Sequence, residues 1–182
     1  GIPFEERLHI FPEDRPSYPE FRAFSPTGLV PVLDDGDIKV WDTLGIVGYF
    51  GEKHPEVWPA DAATRAWARS AASEMHSSFS ALRNQCGMNV GIRCKTPAID
   101  AALRRDLDRL DELWGEGLTR FGGPFLAGAH FTAVDAFFAP VAFRAQSYGL
   151  SFEGAAGAYP GQLLALPAMR EWYGDALKET WR

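Results

Sequence analysis

The chain has 182 residues, a formal net charge of -6 at pH 7, and 46% hydrophobic and 13% aromatic residues. This composition is ample for a globular core in one large domain or two small ones. The negative charge argues against nucleic acid or an anionic membrane surface as a partner. Since no run approaches the roughly 20 apolar residues that span a bilayer, and no basic-then-apolar signal peptide is seen, we expect a cytoplasmic protein with no membrane partner.

The two cysteines, Cys86 and Cys94, are too few for a disulfide framework or a metal-binding set. We therefore predict free thiols in a reducing compartment, and no metal site. Cys86 is not predicted to be a nucleophile, because no basic or helix N-terminal setting that would lower its pKa can be recognised around it.

The N-terminal stretch is predicted to be a strand followed by a loop. Residues 4–11 have the pattern of a strand in which Phe4, Leu8 and Ile10 are candidates for burial. Residues 12–24 are polar and rich in proline, which indicates an irregular loop with a short helical turn near its end.

An apolar run with an internal proline comes next, followed by a hairpin. In the run 25–33, Pro31 cannot donate a ladder hydrogen bond, so it fits a sheet edge, a bulge or the start of a strand. The turn Asp34-Asp35-Gly36-Asp37 has residues that tolerate positive φ, which predicts a hairpin with a return strand at 38–41. Asp42-Thr43 then provides an N-cap for a helix.

Only helices are predicted beyond this point. An amphipathic helix covers 43–54 and is followed by a proline-containing linker at 55–61. A single long helix is predicted at 61–85, with Asp61 able to cap it. Its apolar stripe consists of Trp67, Ala71, Met75, Ser78 and Leu82.

The glycine-containing segment 86–96 either lines an apolar pocket, with Met88 and Val90, or is a plain connector. Thr96-Pro97 predicts the start of the next helix, with an N-cap and a proline at its first position. Gly122-Gly123 ends that helix. Near the C-terminus we expect a short helix at 161–166. A last helix begins at Pro167, with these residues buried: Met169, Trp172, Tyr173 and Ala176.

Thr132-x-x-Asp135 is the spacing of a capping-box-like pair, in which a hydroxyl and a carboxylate satisfy the free N–H groups at a helix start. Pro140 lies beyond the first turn of the same helix, and we expect it to kink the helix by removing a backbone hydrogen bond to Ala136.

Two of these segments resemble the glutathione S-transferases. The S-P-x-G-x-V-P-V-L run at 25–33, with the hairpin and the Asp42-Thr43 helix start, resembles their glutathione-binding half. The segment 125–135 resembles the F-L-x-G-x-x-x-[ST]-x-x-D segment that starts the core helix of their helical half. The resemblance implies an α+β fold with a thioredoxin-like N-terminal domain at 1–54, incomplete here, and an all-helical C-terminal domain at 61–182.

The resemblance also implies a binding site for glutathione as co-substrate. In that family the residue before a cis-proline offers its backbone N–H and C=O to the cysteine of glutathione, and an acidic–hydroxyl pair at the next helix start holds the γ-glutamyl end. Carried over, these positions are Val30 with Pro31 and Asp42 with Thr43. The family more often has Glu-Ser at the second pair. The N–H groups and positive dipole end at Thr43 suit a carboxylate, and Asp42 suits an ammonium group.

In the same family the helix that corresponds to 61–85 borders the electrophile pocket and the dimer interface. The phrase at 74–79, with Leu82-Arg83, resembles what bacterial members carry there. The resemblance therefore implies a homodimer and a pocket for a small electrophile, formed by His76, Phe79, Arg83 and Met88. It makes Thr132 and Asp135 a structural capping box, so Asp135 is expected to serve folding rather than chemistry.

The function implied is that of a glutathione S-transferase, in which glutathione thiolate attacks an electrophile. Two alternatives stay open: a non-catalytic binding or scaffold protein of this family, and a glutathione-dependent isomerase or reductase of the same fold. The opening Gly1 to Glu6 resembles the segment that comes directly after the first helix in this family. We therefore expect the first strand and helix, with the activating Tyr, Ser or Cys, to lie outside this chain, and we assign no catalytic residue.

Overall fold

The structure, a computed structural model, describes residues 2–12, 14 and 16–179. The described chain forms two compact units, one reaching to Tyr49 and the other spanning Phe50–Glu179. The first unit contains a two-stranded sheet, and the second consists of helices. The predicted α+β class is therefore confirmed.

The first unit is organised around an antiparallel hairpin that follows one helical turn. Its elements are α1 (Tyr18–Phe21), β1 (Val32–Asp35), β2 (Ile38–Trp41) and the beginning of α2 (Thr43–Lys53). Asp35 pairs with Ile38 across a two-residue turn in which Gly36 has a φ of +65°, a conformation that glycine adopts without steric cost. The predicted hairpin and the predicted helix start are confirmed.

The strand predicted at residues 4–11 is wrong. These residues form no strand, and Phe4 and Leu8 are 80% and 62% exposed. A strand needs a neighbour that pairs with its backbone groups, and no described residue supplies one here. The segment instead contacts the loop through His9, whose ring stacks on Phe24 with centroids 4.0 Å apart. Within the predicted loop 12–24, residues 13 and 15 lie outside the described residues.

The second unit surrounds the fully buried indole of Trp114, which contacts the rings of Phe138, Phe152 and Tyr159 at centroid distances of 5.8, 4.6 and 5.1 Å. Aromatic contacts of this kind add to the stabilisation from burial. Its helices are α3 (Ala62–Ser77), α4 (Ser80–Gln85), α5 (Ala101–Arg120), α6 (Ala133–Tyr148), α7 (Tyr159–Leu164) and α8 (Pro167–Ala176), with 3₁₀ turns at Pro55–Val57 and Gly154–Ala158.

The single helix predicted at 61–85 is interrupted. α3 ends at Ser77, and Phe79 has a left-handed φ of +60° before α4 begins. This break changes which residues face the interior: Phe79 is 3% exposed, whereas Ser78, predicted on the apolar stripe, is exposed. Burial of the aromatic ring offsets the cost of its uncommon backbone conformation.

The start predicted for the next helix, at Thr96-Pro97, is also wrong. α5 begins at Ala101, because the Asp100 carboxylate accepts hydrogen bonds from two backbone N–H groups, those of Ala102 (3.0 Å) and Leu103 (2.8 Å). A carboxylate that satisfies two free N–H groups of the first turn is a stronger cap than a threonine hydroxyl.

Two expectations for the C-terminal part need correction. The short helix α7 begins at Tyr159, two residues before the predicted start, since Pro160 suits the first turn of a helix. In α8, Met169 is buried as predicted, but Trp172 is 43% exposed. The indole of Trp172 packs edge-on against Phe143, at a centroid distance of 5.1 Å, and its other side is open.

Candidate functional site

The first candidate site lies at one end of the β-hairpin. Val32 pairs with Trp41 in the last pair of the sheet, so Pro31 and Asp42, the next residue on each side, both lie at this end of the hairpin. Directly paired residues of an antiparallel sheet have Cα atoms about 4.5–5.5 Å apart. The register therefore brings the Val30-Pro31 segment next to the start of α2, a juxtaposition that depends on the turn length.

A compact turn positions Val30. The Ser25 side chain is 1% exposed, and its hydroxyl donates to the Leu29 carbonyl (2.6 Å) and accepts from the Leu29 N–H (3.2 Å). Gly28 in this turn has a φ of +71°, and a Cβ there would lie 2.5 Å from the Tyr18 ring. The turn thus requires glycine at this position and holds Leu29 in place.

Val30 is the residue that precedes the proline at this end of the hairpin. The Val30–Pro31 peptide bond is cis, and the Val30 side chain is 40% exposed. Within the described part of the chain, neither the N–H nor the C=O of Val30 has a hydrogen-bond partner. An adjacent donor and acceptor without partners are the groups that pair with the backbone of an extended peptide.

The start of α2 presents a second set of polar groups. Asp42 has a φ of +67°, its Oδ1 accepts from the Leu44 N–H (2.8 Å), and its carbonyl accepts from the Ile46 N–H (2.9 Å). Thr43 is exposed, and no described residue forms a hydrogen bond with its hydroxyl. A helix N-terminus of this kind favours a carboxylate ligand.

The second strand of the hairpin carries a cation, Lys39. The Lys39 ammonium is 2.5 Å from Asp34 Oδ1 and donates to the Phe24 carbonyl at 3.0 Å. It therefore links the sheet to the turn that precedes Val30, and its charge is balanced within the hairpin. The sequence analysis did not single out Lys39, since lysine on an exposed strand is common and carries no specific signal.

The predicted electrophile-pocket residues differ in their surroundings. Phe79 is almost fully buried, whereas His76 and Arg83 are exposed and Met88 is 37% exposed. The Arg83 guanidinium donates to the Ser78 carbonyl at 3.1 Å. Val90, which the sequence offered together with Met88 as a possible pocket-lining residue, is buried in a cluster with Phe143, Met169 and Ala139. Assignment of the four residues to one pocket remains a prediction.

The capping-box residues Thr132 and Asp135 lie at the start of α6, at the spacing read from the sequence. Asp135 Oδ2 accepts from the Thr132 N–H (2.9 Å), and Oδ1 accepts from the Leu126 N–H (3.0 Å) and the Tyr159 hydroxyl (2.8 Å). Burial raises the pKa of Asp135, and these donors oppose that rise by stabilising the carboxylate. The carboxylate therefore connects the start of α6 to the loop at Leu126 and to α7 at Tyr159.

A cavity of about 870 Å³ in the second unit was not predicted. In its wall, Arg65 Nη1 donates to the carbonyls of Pro59 (2.9 Å) and Ala60 (2.6 Å), and the Arg69 guanidinium lies 5.5 Å from the ring centroid of Trp58. The arginines are one helical turn apart, a spacing visible in the sequence. They hold the linker segment against α3.

Residues 2–12, 14 and 16–179 contain no group of three or more His, Cys, Asp or Glu side chains that could bind a metal ion. Nor is any helix in this part of the chain long and apolar enough to cross a membrane. Cys86 is a buried free thiol whose pKa is raised by its burial, and Cys94 is an exposed free thiol.

Two family models match the chain: the glutathione S-transferase N-terminal domain at residues 1–58 and the glutathione S-transferase C-terminal domain at residues 95–175. Glutathione S-transferase 1 of Dianthus caryophyllus is 30% identical over 147 residues, which are 77% of this chain and 65% of that protein. The zeta-class glutathione S-transferase of Euphorbia esula is 31% identical over 129 residues, 67% of this chain and 56% of that protein.

Among solved structures, a maleylacetoacetate isomerase from Methylobacterium extorquens AM1, with bound malonate and glutathione, has the same fold. Its TM-score is 0.62 at 23% identity, with coverage of 88% of this chain and 79% of that chain. The chain belongs to the glutathione S-transferase family. Its thioredoxin-like and helical halves are those of that family, and it spans less than two thirds of the length of the two curated relatives.

Proposed function

We propose that this protein binds glutathione at the hairpin end and transfers the glutathione thiolate to a small electrophile. The observation that carries the proposal is the pairing of two features at one end of the sheet: the unpartnered backbone groups of Val30 and the exposed N-terminus of α2 at Thr43. Family membership supplies the ligand that such a pair recognises.

Each group has a defined role in this proposal. Val30 N–H and C=O pair with the backbone of the cysteinyl residue of glutathione, and Pro31 shapes the turn. The Thr43 hydroxyl and N–H bind the γ-glutamyl carboxylate, which the positive end of α2 favours. The Asp42 carboxylate attracts the γ-glutamyl ammonium group. Held in this way, the tripeptide directs its thiol to one place, which lowers the entropic cost of the attack.

The chemical step is nucleophilic attack by the thiolate on the electrophilic atom of the second substrate. The attacking species is the thiolate, so any group that lowers the thiol pKa raises its concentration at neutral pH. We assign no residue of the 182 to that task. Cys86 does not suit it, because the thiol is fully buried and its pKa is raised.

Substitution of Thr43 by valine tests the binding site. Thr43→Val keeps the shape of the side chain and removes the hydroxyl, so we expect glutathione affinity to fall several-fold, up to about tenfold, as for loss of one hydrogen bond. Thr119→Val, on the exposed end of α5, is the matched control. Calorimetric titration measures both, and an affinity unchanged by Thr43→Val would refute the site.

A glutathione-dependent isomerase is the second candidate. The zeta-class relative and the maleylacetoacetate isomerase of the same fold favour it. An isomerase regenerates free glutathione after each turnover, whereas a transferase consumes it. Measurement of thiol loss during turnover therefore separates the two activities. Retention on immobilised glutathione without either activity would instead indicate the non-catalytic binding or scaffold protein.

The remaining parts of the proposal are the assembly and the compartment. We propose a homodimer that acts on a small electrophile in the cytoplasm, in line with family membership. Sedimentation equilibrium measures the assembly directly: the proposal requires a mass twice that of the 20.1 kDa chain, and a monomer would contradict it.

A further inference from the structure

Two arginines lie together at the ends of α3 and α4. Arg83 donates through Nε to the Ser78 carbonyl (3.1 Å) and through Nη2 to the Met75 carbonyl (2.5 Å), at the C-terminus of α3. Arg144, from α6, donates through Nη1 to the Cys86 carbonyl and, at 3.4 Å, to the carbonyl of Arg83 itself. These contacts fix both guanidinium groups in place.

No carboxylate balances this pair within the described part of the chain. Neither arginine forms an ion pair there. The pKa of Arg144 is lowered first by burial and next by the charge of Arg83, and the other groups that act on it are Cys86 and Tyr148. Arg109 in the same unit shows the contrast, since it forms a two-bond pair with Glu74 at 2.7 and 2.9 Å.

The helix ends explain part of this arrangement. Carbonyl groups at a helix C-terminus carry partial negative charge and attract cations. They use only some of the donors, however. Arg83 Nη1 and both Arg144 Nε and Nη2 have no hydrogen-bond acceptor among the residues described. The N–H groups that remain on the two guanidinium groups are suited to carboxylate oxygens, because a guanidinium can donate two parallel hydrogen bonds to one carboxylate.

A third donor stands nearby. The Tyr148 hydroxyl lies beside Gly87, where an added Cβ would be 3.7 Å from the phenolic oxygen. This hydroxyl has no hydrogen-bond partner in the described chain, and Tyr148 is close enough to Arg144 to influence its pKa. The neighbourhood thus combines two positive charges with a neutral donor. The nearest carboxylate that the described residues place here, that of Asp106, accepts from the Leu82 N–H at 2.9 Å and forms no ion pair with either arginine.

We propose that Arg83 and Arg144, with Tyr148, form a binding site for a compact dicarboxylate. Two carboxylates match the two unbalanced guanidinium charges, and preorganisation by the helix carbonyls lowers the cost of binding. Family resemblance implies a pocket for a small electrophile that includes Arg83. It implies nothing about Arg144, Tyr148 or a dicarboxylate ligand. The proposal concerns ligand binding alone and does not depend on the transferase activity.

Calorimetric titration with malonate, without glutathione, tests the site. We expect saturable binding to the wild-type protein and at least about tenfold weaker binding after Arg83→Gln or Arg144→Gln, as for loss of a charged hydrogen-bonding partner. The neutral diamide of malonate is expected not to bind. Arg105→Gln, an exposed arginine of α5, is the control and is expected to leave affinity unchanged.

Thermal unfolding of each variant accompanies the titrations, because Arg144 also holds the Cys86 carbonyl. If Arg144→Gln fails to fold, Tyr148→Phe and Arg83→Lys replace it, and both are expected to weaken malonate binding several-fold. Absence of saturable binding to the wild type, or an equal loss in Arg105→Gln, would overturn the proposal. So would unchanged affinity in folded Arg83 variants.

Discussion

Asp135 is a fully buried carboxylate that holds together residues distant in the chain. Its oxygens accept hydrogen bonds from the Thr132 and Leu126 N–H groups and from the Tyr159 hydroxyl. Removal of the carboxylate would leave three buried donors without partners, each at a cost of about 1–3 kcal/mol. This arrangement supports a structural role for Asp135.

The pH dependence of this residue is set by its pKa. Burial raises the pKa of Asp135 above that of the unfolded chain. The folded state therefore binds the proton more tightly, and this group's contribution to stability falls as pH rises from about 4, the unfolded pKa, through the folded pKa. Donors such as Tyr159 offset part of that loss, because they stabilise the ionised form.

We predict that Tyr159→Phe lowers the free energy of unfolding by about 1.5–3 kcal/mol at neutral pH, as for a hydrogen bond to a charged group. The loss should shrink in acid, where Asp135 is protonated and the bond is weaker. Tyr49→Phe is the control, since its hydroxyl donates to the exposed carboxylate of Asp35 at 2.6 Å. Its cost should be below about 1 kcal/mol. Urea unfolding at several pH values measures both variants. Equal losses in the free energy of unfolding for Tyr159→Phe and Tyr49→Phe would contradict the prediction.

At the level of single elements, α5 carries two glycines in different surroundings. A Cβ on Gly117 would lie 2.5 Å from the Trp67 ring and 2.7 Å from the Leu126 carbonyl oxygen, whereas a Cβ on Gly115 would have no neighbour within 4 Å. Close packing, rather than backbone conformation, therefore requires glycine at position 117. Glycine inside a helix otherwise costs stability relative to alanine.

The matched pair Gly117→Ala and Gly115→Ala separates the two effects. We expect Gly117→Ala to destabilise the protein by about 1–3 kcal/mol through overpacking. Gly115→Ala should stabilise it by up to about 1 kcal/mol through helix propensity. Urea unfolding measures the change in the free energy of unfolding for both variants, from the shift of the midpoint at a constant m-value. Stabilisation by Gly117→Ala would contradict the prediction that close packing against Trp67 requires glycine here.

The boundaries of α3, α4 and α5 show where local patterns are insufficient. Asp61 caps α3 as predicted, by accepting from the Thr64 N–H at 2.8 Å. In contrast, α4 receives its cap from another helix, since Asp106 of α5 accepts from the Leu82 N–H at 2.9 Å. A cap 24 residues away has no signature in the neighbouring sequence. The break after Ser77 depends on such partners and was missed for that reason.

At the level of the molecule, the two units differ in how much apolar surface they bury. In the first unit, Phe21 is the one hydrophobic side chain classed as buried among the described residues. The second unit encloses the fully buried side chains of Trp114, Tyr159, Phe138 and Phe143. A two-stranded hairpin is marginal without additional packing, so the first unit has less to stabilise it.

Hydrogen exchange followed by mass spectrometry is expected to reveal this difference. Amides of β1 and β2 should exchange well before those in the middle of α5 and α6, because local opening requires little loss of buried surface. Under the proposed function, glutathione should slow exchange in the hairpin and at the start of α2 and leave α5 unchanged. Equal protection of the hairpin and α5 without ligand would contradict the expectation.

Features that depend on near neighbours in the chain could be predicted from the amino-acid sequence. The Asp35-Gly36 turn, the Asp42-Thr43 helix start and the Thr132–Asp135 spacing each involve backbone groups within a few residues. Local φ preferences and capping decide such features. The same segments carry the family resemblance, so the fold and the candidate glutathione site were predicted from them together.

Features that depend on contacts between distant residues were decided only by the tertiary structure. The bond from Tyr159 to Asp135 and the meeting of Arg83 with Arg144 join positions 24 and 61 residues apart. The predicted strand at 4–11 failed for the same reason, since a strand exists only with a pairing partner. Periodicity records which side of a segment is apolar, but it does not record which other segment lies against that side.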